Sequence, residues 1–97
     1  HAIENVVYFK LLRRGYDVAI GKIDNQEVDF IATTADDKLY IQVTESMQSE
    51  DVRKRELAPL QKIRDNYEKI VLSLEPGLDS SYDGIKSLNL IDWLLDG

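Results

Sequence analysis

The side chains best placed to do chemistry lie in two short segments, Glu27-Val28-Asp29-Phe30 and Tyr40-Ile41-Gln42-Val43-Thr44. Both alternate apolar and polar residues with a period of two, the pattern of a strand with one packed face. Ala35-Asp36-Asp37-Lys38 between them reads as a turn, which predicts an antiparallel hairpin. With Asp36-Asp37 as a two-residue tip, Ala35 faces Lys38, and counting outward sets Asp29 opposite Thr44 and Ile31 opposite Gln42. Opposed residues share a face, as do residues two apart. Asp29, Gln42 and Thr44 therefore converge, while Val28, Phe30, Ile41 and Val43 pack on the other side. The convergent set is a carboxylate, an amide and a hydroxyl, with no positive charge among them.

The elements that must position these residues follow from periodicity. From Ala2 to Arg14, Ile3, Val6, Val7, Phe9, Leu11 and Leu12 recur at helical spacing. Arg13 and Arg14 suit the negative end of the helix dipole, and Gly15 supplies a stop. Tyr16, Val18 and Ile20 alternate with Asp17, Ala19 and Gly21 as a first strand, and Asp24-Asn25-Gln26 turns into the second. Met47 to Tyr67 is polar, then helical, with Leu57, Leu60, Ile63 and Tyr67 as its apolar stripe and Ser49-Glu50-Asp51 as a start. Pro59 predicts either a helix beginning near Glu56 to Ala58 or a kink. Lys69 to Leu74 reads as a strand buried on both faces, Glu75 to Gly84 as an exposed loop, Ile85 to Leu90 as a strand and Ile91 to Leu95 as a closing helix. A crossover helix between strands places the Ile70 strand parallel to one of the first three. The expected fold is α/β with a mixed sheet: an αβββαβ core, an added strand and a short C-terminal helix, in a single domain over residues 1–97.

Composition narrows the function classes. The chain is 43% hydrophobic and 31% charged, as in ordinary globular domains, and it has no apolar run of spanning length. Cysteine is absent, which excludes disulfides and thiolate metal sites and agrees with a cytoplasmic location. Eighteen acidic against 12 basic residues give a net charge of −6, which argues against gripping nucleic acid unaided, since phosphate contacts dominate such affinity. The basic run Arg53, Lys54, Arg55, with Lys62 and Arg64, is a candidate phosphate surface; interleaved with Glu50, Asp51, Glu56 and Asp65, it reads first as a solvated helix face with charge pairs. The sequence opens at His1 directly into helical residues and is expected to be a domain of a longer protein.

The αβββαβ order, with Asp29 in the second strand and Gln42-x-Thr44 in the third, resembles the PD-(D/E)xK nuclease superfamily, whose fold is that of restriction endonucleases. More narrowly, "EVDFIA", "YIQVTES", "KIRDNYEKIVLSL" and "GIKSLNLIDWLL" are similar to the nuclease-like C-terminal domain of prokaryotic AAA+-type ATP-binding proteins. The family pattern is an Asp, then Glu-x-Lys in the next strand, often with an acid on the first helix. Asp29 matches the Asp, Gln42 and Thr44 stand at the Glu and Lys positions, and Glu4 matches the helical acid. The resemblance implies a Mg²⁺ site from Glu4, Asp29 and Gln42, weakened by the amide, and a catalytic set in which Thr44 offers no charge. Losing such a lysine removes an effect of about 10²–10⁴-fold in comparable roles, unless Lys62 substitutes. The implied function is an accessory domain with degenerate chemistry that serves interaction or substrate positioning. Its implied partner is the ATP-binding domain of the same chain, and it has no phosphate-binding loop of its own. A weak Mg²⁺-dependent nuclease and a pure protein-interaction module, homo-oligomeric or contacting the ATPase domain through the Trp93 region, are the alternatives.

Overall fold

The first helix, α1 (Ala2–Arg13), carries Glu4 in its first turn and Lys10 and Arg13 in its last, so both ends complement the dipole. Gly15, at φ +90°, stops it: the Tyr16 N–H returns to the Leu11 carbonyl at 3.1 Å, the six-to-one closure that needs a left-handed residue. In the computed structural model, which describes residues 2–23, 26–75 and 80–96, there follow β1 (Asp17–Ile23), β2 (Gln26–Thr33), β3 (Lys38–Val43), α2 (Glu50–Gln61), β4 (Glu68–Ser73), β5 (Ser80–Tyr82), β6 (Ile85–Asn89) and α3 (Leu90–Leu95). The expected turn at Asp24-Asn25, residues Pro76 and Gly77 of the expected loop, and His1 lie outside the described residues.

The fold is mixed α/β. Six strands lie in the order β1-β2-β3-β4-β6-β5. β1, β2 and β3 form the expected antiparallel meander, and β4 runs parallel to β3 across the α2 crossover. β6 is parallel to β4, and β5 closes that edge antiparallel to β6. The short β5 replaces part of the expected loop. Asp83 and Gly84 both have positive φ, so they turn β5 tightly into β6. Among the described residues no helix is long and apolar enough to cross a membrane.

Two cores sandwich the sheet. On one face Val7 and Leu11 of α1 and Leu90 and Trp93 of α3 pack over Phe30, Ala32, Ile41, Ile70 and Leu72. On the other, Leu57 and Leu60 of α2 cover Val28, Tyr40, Val71 and Ile85. α2 is one continuous element with Ser49 as its N-cap and Pro59 inside it. The helix therefore starts earlier than Pro59 suggests: the missing proline N–H falls in the last turn, where few ladder bonds remain to lose. It also ends before Tyr67, which is exposed and not part of the stripe. The Tyr40 hydroxyl ties the segment after α2 to β3 by donating to Asp65 at 2.6 Å, and Lys69 holds the other Asp65 oxygen at 2.9 Å.

The β2–β3 register differs from the expected one by two residues. Thr33 pairs with Lys38 and Phe30 with Ile41, because the Thr34 N–H donates to the Asp37 carbonyl and closes a longer loop than the two-residue tip. Ile31 thus faces Tyr40, not Gln42. A shift of two preserves faces, so Gln42 still lies on the α2 side. A second departure is a β-bulge: Ala19 pairs with Ile31 but Gly21 with Val28, which leaves Asp29 and Phe30 together opposite Ile20. The bulge turns Val28 over into the α2-side core, away from Phe30, Ile41 and Val43. Gly21 permits this, since a Cβ there would run into the Ile31 side chain at Cδ1 and Cγ1.

Candidate functional site

The ladder between β2 and β3 ends at Phe30 and Ile41, and beyond it the strands fork. The bulge aims the Asp29 N–H at β3 with no ladder carbonyl to receive it, and the Gln42 Oε1 accepts it at 2.8 Å. Reciprocally, the Asp29 Oδ2 accepts the Val43 N–H at 2.8 Å. Each side chain thus satisfies a backbone donor of the opposite strand. The Gln42 Nε2 also donates to the Glu56 carbonyl of α2 at 3.2 Å, and the residue is only 4% exposed. Gln42 therefore joins β2, β3 and α2 at one point.

Above the fork opens a hollow of about 550 Å³ lined by Glu4, Glu27, Asp29, Gln42, Arg55 and Glu56, with Pro59 at its wall. It takes carboxylates from α1, β2 and α2. Burial pushes the Asp29 carboxyl up from its ordinary 3.8; the Val43 N–H opposes this, and repulsion from Glu4 and Glu27 adds to it. Burial likewise raises Glu56, with repulsion from Asp29 against the attraction of Arg55. The hollow is a site of strained negative charge.

Of the residues expected to converge, Glu4, Asp29 and Gln42 do so. Thr44 does not: it lies past the end of β3, its N–H donates to Leu72, and its hydroxyl donates to the Ser46 carbonyl at 3.3 Å. Lys62 is the exposed C-cap of α2 and does not line the hollow. In the basic run, Arg53 donates to the Met47 and Gln48 carbonyls and Lys54 pairs with Glu50, so Arg55 alone reaches the hollow. Glu27 and Glu56 complete the acidic lining. Spacing two residues before Asp29 could have suggested Glu27, whereas Glu56 depends on how α2 sits over the fork.

The donor set is hard oxygen, the chemistry of Mg²⁺. However, Gln42 Oε1 and Asp29 Oδ2 each already accept a backbone N–H, so a cation would have to use Asp29 Oδ1 or the second lone pair of either oxygen. Among the described residues no three acidic or histidine side chains are grouped so as to hold a metal ion. The arrangement as it stands fits a resident Mg²⁺ poorly.

The raised Asp29 gives a signed prediction. A carboxyl whose folded value is raised adds most stability below its ordinary value, and that contribution falls as pH rises through the folded value. Asparagine keeps an oxygen for the Val43 N–H and removes the charge. Asp29→Asn is therefore expected to raise the urea midpoint at pH 7, with the gain shrinking toward pH 3; urea melts across that range check it.

These features define a mixed α/β domain with an acidic hollow at a strand fork. No family model matches the chain. It is 42% identical over 93 residues to an uncharacterized protein of Haemophilus influenzae, a match covering 96% of this chain and 22% of that protein. The chain thus spans about a fifth of the length of this relative.

Proposed function

We propose that the chain is a nuclease-fold accessory domain of a larger ATP-binding protein, one that positions or contacts a partner without cutting nucleic acid. One observation carries this reading: Asp29 and Gln42, at the positions of the metal-binding acids in the PD-(D/E)xK pattern, are committed to each other's backbone. Thr44, at the lysine position, contributes no charge, spends its hydroxyl on the Ser46 carbonyl and does not line the hollow. The αβββαβ order and the placement of Glu4 beside Asp29 support the fold assignment, and the 22% coverage of the relative supports a larger parent. Four carboxylates against one arginine also repel a phosphate backbone.

Incubation with Mg²⁺ or Mn²⁺ and labelled single- and double-stranded DNA and RNA tests the reading. Wild type is expected to cleave no faster than Asp29→Ala, and calorimetry is expected to detect no Mg²⁺ binding tighter than millimolar. Metal-dependent cleavage abolished by Asp29→Ala would show a working nuclease instead.

A further inference from the structure

On the side of the sheet opposite α2, α1 leaves an apolar stripe uncovered: Val6, Phe9 and Leu12 are 45%, 60% and 42% exposed and border a shallow groove with Arg13. α3, on the same side, presents a second stripe, with Ile91 51% and Leu95 79% exposed. Spacing of three and four residues puts each set on one helix face. The flanks differ in sign. Lys10 and Arg13 border the α1 stripe, whereas exposed Asp92 and Asp96 stand next to Ile91 and Leu95. Arg14 holds the two helices in fixed relation: its guanidinium donates to the Trp93 and Asp96 carbonyls at 2.8 Å and lies 4.5 Å from the Trp93 ring centroid.

We propose that this face is a self-complementary surface for a second copy of the chain, the α1 stripe of each copy seating on the α3 stripe of the other. Scattered exposed apolar residues need no explanation. Here two apolar helical stripes with flanks of opposite charge lie on one side of one sheet, an arrangement a two-fold interface can use. The apolar residues exclude water, and the lysine and arginine flank meets the aspartate flank twice, once at each end of the axis. The surface is separate from the acidic hollow and does not depend on its chemistry.

Sedimentation equilibrium on the 97-residue chain tests this. The mass is expected to rise from 11.1 kDa toward twice that value with concentration, and less so at high salt. Phe9→Glu is expected to abolish the rise. The two charge reversals Lys10→Glu/Arg13→Glu and Asp92→Lys/Asp96→Lys are each expected to weaken self-association by about tenfold or more. Mixed in equal amounts, the two reversed chains are expected to form a heterodimer, because both contacts then again join opposite charges. A misfolded variant could not restore association in this way, and circular dichroism checks each variant's fold. Wild type remaining at 11.1 kDa up to millimolar concentration, or reversed chains that fail to pair on mixing, would overturn the proposal and leave the face to a different protein or to a further domain.

Discussion

Leu72→Ala is expected to destabilise the chain by about 2–5 kcal/mol, the range for emptying a fully packed aliphatic site. Leu72 is wholly buried in β4, paired to Val43 on one side and Leu88 on the other, and it packs with the Val7, Leu11 and Trp93 core. Helices from both ends of the chain close over it, so neighbours pinned by α1 and α3 can collapse only partly into the space. Domains of this size hold about 5–15 kcal/mol in total, so the loss is a large share of the fold. The effect should reach the fork as well, because the Leu72 carbonyl accepts the Thr44 N–H and holds the end of β3 in place. Chemical denaturation gives the free energy directly. A loss below 1 kcal/mol would mean that β4 is not the centre of the sheet.

Gln42→Leu is expected to cost about 1–3 kcal/mol, although leucine fills a similar volume and adds apolar surface. The reason is the Asp29 N–H, which the bulge strips of a ladder partner and whose acceptor is the Gln42 side chain. Leucine leaves that donor stranded beside a buried wall and also releases the Glu56 carbonyl contact. Gln42→Glu separates hydrogen bonding from charge. Glutamate can still accept the Asp29 N–H, but it sets a further carboxylate among Glu4, Glu27, Asp29 and Glu56. Its deficit relative to wild type should therefore be largest at neutral pH and shrink on acidification as the new group protonates. Paired urea melts of both variants at pH 7 and pH 4 check this, and equal deficits at the two pH values would remove the electrostatic half of the explanation.

Much of the fold is legible in the residues. Gly15 marks the end of α1, the alternation around Phe30 and Ile41 marks their strands, and the continuous apolar run at Ile70 marks a strand buried on both faces. Asp83-Gly84 is a strong two-residue hairpin signal, and β5 lay within reach of it; the surrounding serines and proline read instead as loop. The site is harder. The face shared by Asp29 and Gln42 follows from parity and holds in the observed register, because the Thr34–Asp37 closure moves the pairing by an even number. The bulge leaves no comparable mark: neither glycine nor proline stands at Asp29 or Phe30, and the flip of Val28 shows only once Gly21 is seen packed against Ile31. Thr44 joins the expected convergent set only through a continued ladder, and the ladder stops three residues earlier, at Ile41. Glu56 joins the hollow through the rotation of α2, which is set by Leu57 and Leu60 packing on the far core and not by any local pattern.

Amide hydrogen exchange at Asp29 and Val43 tests the reciprocal clasp most directly. Both N–H groups lie beyond the β2–β3 ladder, so only side chains can protect them on that edge. Protection comparable to that of Phe30 and Ile41 is predicted in the wild-type chain, with the Asp29 amide freed in Gln42→Ala and the Val43 amide freed in Asp29→Ala. Exchange of the wild-type Asp29 amide at the rate of an open loop, or protection unchanged by Gln42→Ala, would contradict the clasp and return Asp29 and Gln42 to the status of free ligands for a metal.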